Sequence, residues 1–367
     1  MKRILILANF DVGLYKFRKE LIQELLNQGN EVYISLPNGE LVRNLERMGC
    51  KFVNTAVDRR GINPKTDAKL MLFYRKLIKR LHPEMVITYT IKPNIYGGLM
   101  CRMLHVPYAV NITGLGTAFQ SENMVKKLVT FLYKIALKKA KVVFFENIGN
   151  KQTFLDLHIL KGKQICVLNG AGVNLAEYPF CEYPSGEEIR FLFIGRVMKE
   201  KGVDELFEAA ERIKQQRSDV FFDIVGPLED DYKSRLEELV QKGVIVYHSY
   251  QKDVKPFIEK CHCFVLPSYH EGMANTLLEA GAMGRPLITS NIHGCLEAVE
   301  EERNGYLAEA KNAEALRGQL EKFLGLSYEE RKRMGQESRE VVQERFDKKK
   351  VVGKTIREIE REWQSQR

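Results

Sequence analysis

An α/β chain of two doubly wound domains is predicted by three features: a length of 367 residues, short apolar runs alternating with helical patterns, and one proline-rich interruption near the middle. That length exceeds one ordinary core and suits two domains, and a hydrophobic content of 44% supports globular structure rather than disorder. The domains are expected at 1–178 and 179–349, with a C-terminal helix at about 350–367 packing back on the first.

The first half runs through Ile4 to Ala8, a helix from Leu14 to Asn27, Val32 to Leu36, a helix near Leu41 to Met48, and Lys51 to Asn54. It continues with a helix near Asp67 to Leu81, Met85 to Tyr89, a helix near Asn94 to Leu104, and Tyr108 to Asn111. A lysine-rich helix, Val142 to Phe145 and Ile165 to Leu168 complete it. Each strand is a short run of β-branched and aliphatic residues, each helix has apolar residues at 3.6 spacing, and the alternation implies βαβ units with a parallel sheet. Between Glu177 and Glu188 the prolines and polar residues mark a linker. The alternation then restarts with Phe191 to Ile194, a helix near Val203 to Gln215, Phe221 to Val225, a helix near Asp231 to Gln241, and Val244 to Tyr247. After these come a helix near Val254 to Lys260, Phe264 to Leu266, a helix at Ala274 to Met283, Leu287 to Thr289, and long charged helices. Ligands of such sheets bind beyond the carboxyl ends of the strands, so two domains facing each other predict a cleft.

Composition narrows the partners. No window approaches the roughly 20 apolar residues of a membrane-spanning helix, and the start Met1-Lys-Arg-Ile-Leu-Ile-Leu-Ala-Asn is too short for a secretory signal, so the cytoplasm is the expected compartment. Seven scattered cysteines (50, 101, 166, 181, 261, 263, 295) point to reduced thiols. A net charge of +9 implies an anionic partner, and without basic-aromatic interleaving nucleic acid ranks last. From Met124 onward, Lys126, Lys127, Lys134, Lys138 and Lys139 surround an apolar stripe. Two readings are open: a helix that packs its stripe on a sheet and solvates its lysines, or a surface in peripheral contact with an anionic membrane.

The stretch Glu271-Gly-Met-Ala-Asn-Thr-Leu-Leu-Glu279 sets two carboxylates eight positions apart around an expected helix start. Free N–H groups at Ala274, Asn275 and Thr276 suit a diphosphate, and carboxylates at Glu271 and Glu279 suit ribose and hexose hydroxyls, a combination that fits a sugar nucleotide. Upstream, Phe191-Leu-Phe-Ile-Gly-Arg-Val-Met-Lys-Glu-Lys-Gly202 ends a strand at Gly195 and delivers Arg196 and Lys201 into the following loop. Two cations there can neutralise a diphosphate leaving group without a metal, and no Asp-x-Asp motif is present; Asp230-Asp231 is adjacent, not alternating.

Strand-Gly-Arg-x4-Lys-Gly followed some seventy residues later by Pro-Ser-x3-Glu-Gly-x6-Glu resembles the retaining glycosyltransferases of family 4, with the GT-B fold of two Rossmann-like doubly wound domains facing a cleft. Leu168-Asn-Gly-Ala-Gly-Val-Asn174 is similar to the family's loop before the linker, and Asn304-Gly305 to its Asn-Gly turn. Thr90-Ile-Lys-Pro-Asn-Ile-Tyr-Gly97 and Asn111-Ile-Thr-Gly-Leu-Gly116 resemble the branch that builds capsular, O-antigen and lipid-linked oligosaccharides. The resemblance implies a hexose or N-acetylhexosamine moved from a nucleotide, UDP first among the candidates, to a saccharide or polyprenyl-diphosphate-linked acceptor, with no cofactor and no metal. It implies catalytic roles for Arg196, Lys201 and Glu271, and a donor site of Gly13, Gly195, Arg196, Lys201, Glu271, Gly272, Met273, Ala274, Asn275, Thr276 and Glu279. A sugar-nucleotide epimerase of the same fold and a non-catalytic partner subunit are the alternatives.

Gly13 follows the first strand, either letting backbone approach the ligand or shaping a turn. Lys92, Asn94, Asn111 and Thr113 are candidate acceptor residues, and a helix cap around Pro93 is the competing account of the first two. Many relatives carry a histidine where Thr113 stands, so no imidazole base can be carried over. His105 is read as a helix-end residue and His262 as part of a buried strand start, His293 lies in a glycine-containing loop, and His270, directly before Glu271, is either better placed for the site or a loop filler.

Overall fold

The computed structural model describes residues 1–56, 63–116, 119, 124–160, 164–229 and 231–364, the side chains of 362–364 excepted. It divides into two compact units, Met1–Ala171 with Lys349–Arg367, and Gly172–Lys348.

The first unit contains β1 (Arg3–Leu7), α1 (Asp11–Asn27), β2 (Glu31–Leu36), α2 (Val42–Arg47), β3 (Lys51–Asn54), α3 (Pro64–Leu81), β4 (Met85–Tyr89) and α4 (Gly98–Leu104). It continues through β5 (Tyr108–Ile112), α5 (Met124–Ala136), β6 (Val142–Phe145), α6 (Ile148–Asp156) and β7 (Gln164–Val167). Its seven strands lie in the order β3-β2-β1-β4-β5-β6-β7, each pair parallel. Successive side chains of a strand point to opposite faces, so Ile4 and Ile6 join one apolar layer with Leu14, Ile22 and Val32, while Leu5 and Leu7 join another with Tyr74, Leu77 and Val110. Both faces are covered, and the strands therefore read as continuous apolar runs rather than alternating ones. Val351, Ile356 and Ile359 of the C-terminal helix, Lys348–Gln364, are buried in the first of these layers.

The second unit contains β8 (Ile189–Ile194), α7 (Val203–Lys214), β9 (Val220–Val225), α8 (Lys233–Gln241), β10 (Val246–Tyr247), α9 (Lys255–Lys260) and β11 (Cys263–Leu266). After these come α10 (Asn275–Ala282), β12 (Leu287–Ser290), β13 (Gly305–Ala308), α11 (Ala313–Leu324) and α12 (Tyr328–Arg345); the last helix of the chain, α13 (Lys348–Gln364), belongs from Lys349 on to the first unit. Its six parallel strands run β10-β9-β8-β11-β12-β13.

In both sheets the strand order reverses once, between β1 and β4 and between β8 and β11. At such a switch point the loops leaving the two neighbouring strands diverge and leave room for a ligand. The loops after β8 and β11 carry the two motifs singled out in the second half.

Four local differences from the expected elements have physical causes. Helix α1 begins at Asp11, whose carboxylate accepts from the Leu41 backbone N–H at 2.8 Å, so Gly13 lies in the first helical turn and not in a loop. Helix α6 was unexpected; Asn147 starts it by accepting from the Asn150 backbone N–H at 2.7 Å. Strand β10 shrinks to two residues at the sheet edge, and β13 adds an edge strand at the Asn-Gly turn, where the fully buried Asn304 accepts from the Glu300 N–H and donates to the Ala298 carbonyl. All seven cysteines are free thiols.

Candidate functional site

Gly195 follows β8 directly, and its N–H donates to the Val225 carbonyl at 3.0 Å. Gly226 makes this approach possible: at φ +147, a Cβ there would lie 1.8 Å from the Gly195 oxygen. Arg196 is half exposed, and its guanidinium reaches the Glu229 carboxylate at 2.8 Å. Val197 bridges to Leu228, which holds the Arg196 and Glu229 segments side by side. A 3-10 turn over Lys199–Lys201 follows, and Gly202, at φ +68, starts α7 with its missing Cβ leaving room for the Pro267 carbonyl. Asp204 and Glu205 in the first turn complement the helix dipole.

The loop after β11 comes back to this turn. Its Tyr269 N–H donates to the Glu200 carbonyl at 2.9 Å, and the Tyr269 hydroxyl donates to the Glu205 carboxylate at 2.7 Å. Thus anchored, the loop puts the Glu271 carboxylate against the Lys201 ammonium, and Ser268 Oγ donates to the same oxygen at 2.9 Å. Gly294, at φ +94, backs this loop: a Cβ there would sit 2.6 Å from the Glu271 backbone carbonyl oxygen, and the Gly294 carbonyl accepts from the Ala274 N–H at 2.8 Å. Met273 and Ala274 are buried, and Ala274 starts α10 with no side-chain cap. The first-turn N–H groups at Asn275 and Thr276 have no carbonyl within the helix to donate to, which leaves partial positive charge there. Asn275 Nδ2 donates to the Met273 carbonyl at 3.3 Å, while its buried Oδ1 has no hydrogen-bond partner. On α10, Glu279 accepts a hydrogen bond from Tyr178; burial first, and that carboxylate second, push the Tyr178 hydroxyl well above its ordinary pKa.

The structure therefore gathers Gly195, Arg196, Lys201, Glu271, Gly272, Met273, Ala274, Asn275, Thr276 and Glu279 on the loops after β8 and β11 and the helix following the latter. Ser268, Tyr178, Glu229 and Gly294 belong with them and were not foreseen. A positive-φ glycine before a cysteine and a tyrosine inside a proline-rich linker carry no local sign that they back a glutamate elsewhere.

Gly13 lies in α1 of the first unit, and its missing Cβ makes room for the Phe10 ring, whose Cζ would be 2.5 Å from a Cβ there.

The candidate acceptor residues are largely consumed by internal bonds. Asn94 and Asn111 are buried, Thr88 Oγ1 donates to Asn94 Oδ1 at 2.7 Å, Asn94 Nδ2 donates to the Asn111 carbonyl at 2.8 Å, and Asn111 Nδ2 to the Thr88 carbonyl at 3.3 Å. Both tie β4 to β5. Lys92 is held by Asp67 at 2.8 Å, and Tyr96 donates to the other oxygen of that carboxylate at 2.9 Å. Thr113 is partly buried just past β5. Two backbone features nevertheless mark the end of β4: Thr90 stands at φ +73, a left-handed conformation unfavourable for a β-branched residue, and Pro93–Gly97 forms a π-helical turn. At the same edge of the sheet the Arg18 guanidinium pairs with Glu146 and lies 5.1 Å from the centre of the Tyr89 ring.

Among the histidines, His270 is exposed, His293 Nδ1 is 2.9 Å from Glu297, and His262 Nδ1 accepts from the Arg190 N–H at 3.1 Å. Among the described residues no group of three or more His, Cys, Asp or Glu is arranged to hold a metal, and no helix is long and apolar enough to cross a membrane. Asp230 lies outside the described residues.

Comparison with known proteins follows the same division. The family model "Glycosyl transferase 4-like" matches residues 3–147, and "Glycosyl transferases group 1" matches residues 180–341. The chain is 29% identical over 332 residues to the N,N'-diacetylbacillosaminyl-diphospho-undecaprenol alpha-1,3-N-acetylgalactosaminyltransferase of Campylobacter jejuni, covering 86% of this chain and 87% of the relative. It is 27% identical over 274 residues to the UDP-Gal:alpha-D-GlcNAc-diphosphoundecaprenol alpha-1,3-galactosyltransferase of Escherichia coli, covering 70% of each. A crystal structure of a glycosyltransferase from Rickettsia africae superposes with a TM-score of 0.81 at 20% identity, over 97% of both chains.

Proposed function

The chain belongs to the family-4 glycosyltransferases of the GT-B fold, and from that premise we propose that it moves a hexose or N-acetylhexosamine from a UDP-sugar to a polyprenyl-diphosphate-linked saccharide, with retention at the anomeric carbon. The observation that carries the proposal is the contact of Lys201 with Glu271 beside the uncapped start of α10. In a glycosyl diphosphate the sugar hydroxyls and the phosphate oxygens are a few bonds apart. An ammonium and a carboxylate in mutual contact can therefore serve both, Lys201 turning to the diphosphate and Glu271 to the transferred sugar. Arg196 adds the second cation, and Glu279 on the next helical turns takes the ribose hydroxyls.

With the departing diphosphate neutralised in this way, one of its oxygens accepts the proton of the incoming hydroxyl on the face it leaves, and the new bond forms on that same face. No side-chain base is required, which agrees with Thr113 standing where many relatives have histidine. The names of the Campylobacter and Escherichia relatives, both undecaprenol-diphosphate transferases, support the acceptor class, and the latter supports UDP. Such an acceptor would bring the enzyme to the inner face of the plasma membrane as a peripheral protein.

The test is a screen of UDP-, GDP- and ADP-sugars with a short polyprenyl-diphosphate sugar, read by mass spectrometry, with the anomeric configuration of the product read by NMR. Transfer from a UDP-sugar with an unchanged anomeric configuration is expected. Inversion, or transfer from GDP- or ADP-sugars alone, would overturn the corresponding part.

A further inference from the structure

We propose that His293, held by Glu297, is a specificity-determining residue of the donor site whose Nε2 accepts a hydrogen bond from a hydroxyl of the transferred sugar; this rests on the transferase reading above. The loop after β12 joins those after β8 and β11 at the site, and two contacts fix it there. A Cβ on Gly294 would lie 2.8 Å from the Glu271 Cβ, and the Gly294 carbonyl accepts from the Ala274 N–H at 2.8 Å. With about 3.8 Å between neighbouring Cα atoms, the first contact holds the His293 Cα within about 8 Å of the Glu271 Cβ. A sugar bound by Glu271 therefore comes within reach of an imidazole on this loop. The buried Cys295 thiol, raised well above its ordinary pKa by burial and then by Glu271, also feels Lys201 and Glu297, so the clamp and the histidine's partner surround one point.

Glu297 aims the imidazole. Its Oε2 accepts from the Gly294 N–H at 2.7 Å and its Oε1 lies 2.9 Å from His293 Nδ1, on a side chain only 15% exposed. A carboxylate bonded to Nδ1 keeps the proton on that nitrogen and leaves Nε2 as an acceptor. Folding gives little reason for an imidazole here: the His293 side chain is 52% exposed, such a pair adds little to stability, and the Gly294 N–H needs only the carboxylate. A ligand does give a reason. An acceptor nitrogen has nothing to take from an ionised phosphate oxygen, so its partner is a hydroxyl, and the ribose hydroxyls fall to Glu279 on α10. Glu271 already bonds Lys201 and Ser268, which leaves it room for only part of a hexose's hydroxyl set. His293 supplies the further acceptor.

The test is calorimetry on the full-length chain with UDP and with UDP-glucose, UDP-galactose and their N-acetyl forms, followed by 3-, 4- and 6-deoxy versions of the donor that binds best. His293→Ala should leave UDP binding within about twofold and weaken binding of the UDP-sugar about tenfold. The UDP arm doubles as the control for folding. His293→Gln, whose amide reaches nearly as far as Nε2, should recover part of the loss. Glu297→Gln keeps an acceptor for the Gly294 N–H, and should cost about threefold by loosening the imidazole. One deoxy donor should bind the wild type and His293→Ala equally, because the hydroxyl that Nε2 serves is gone. Equal losses for UDP and the UDP-sugar, equal losses across all three deoxy donors, or no loss at all would each overturn the proposal. If the wild type binds no UDP-sugar, the donor reading fails and this inference with it; a bound UDP-sugar indifferent to His293 sinks this inference alone.

Discussion

Lys201 and Glu271, seventy positions apart in the chain, form a largely buried salt bridge in which the Glu271 carboxylate also accepts from Ser268 at 2.9 Å. They meet because they leave the two neighbouring strands at which the sheet order reverses. Replacing Lys201 by Met removes a cation from the donor site and should lower kcat/KM by about 10²–10³-fold. It also strips Glu271 of its counter-charge, so some stability should be lost. Adding Glu271→Gln should restore that stability while leaving turnover low. Arg196→Ala, whose partner Glu229 is on the surface, should cost under about 1 kcal/mol of stability and still impair turnover. Near-wild-type turnover in both the Lys201 and Arg196 variants would refute the clamp.

Gly294→Ala tests the backing of the same loop. With φ at +94 and the Glu271 carbonyl where a Cβ would go, the added methyl must push Glu271 away from Lys201. Calorimetry should show donor binding weakened about tenfold or more, a change of about 1.4 kcal/mol. Gly318→Ala, in helix α11 with open space around it, is the control and should be neutral or slightly stabilising.

Arg285 is fully buried and donates to the backbone carbonyls of Cys181, Glu182, Ile258, Glu259 and Gly284. It closes the C-terminal end of α9 and fastens the proline-rich linker to the second unit. Arg285→Met should destabilise by about 3 kcal/mol or more in a urea titration, because several buried acceptors lose their donors together. Arg285→Lys should rescue little, since an ammonium cannot span the fork of donors.

Burial, followed by nearby Arg331, Arg285 and Arg190, pushes the His262 imidazole down to about 4 from an ordinary 6.5. The unfolded chain therefore takes up a proton between about pH 6.5 and 4 that the folded protein does not. Stability is whole above pH 6.5 and falls as the pH drops through that window. Asparagine can keep an acceptor for the Arg190 N–H without titrating, so His262→Asn should flatten the pH dependence of the unfolding midpoint there. An unchanged slope would assign the acid sensitivity to other groups.

Much of the site was legible as residue types. Gly195, Arg196 and Lys201 announce themselves by following an apolar strand, and Glu271 through Glu279 by straddling a helix start. Their partners were not legible. Glu229, Ser268, Tyr178 and Gly294 become relevant only through backbone approaches at Gly226, at Tyr269 and in the linker, and local periodicity holds no record of such approaches. Asn94, after β4, and Asn111, within β5, show the same limit from the other side, since the strand order that pairs their side chains with backbone carbonyls across the sheet is not written locally.

By itself the sequence determined the repeated βαβ alternation, the linker, and the chemistry carried into the loops, because strand and helix propensity, apolar period and charge are local quantities. Only the tertiary structure decided that Lys201 contacts Glu271, that Gly13 sits in a helix under Phe10, and which face of α5 stays exposed. Those outcomes depend on strand order and on which surfaces pack first, and a parallel sheet sets both through contacts between residues far apart in the chain.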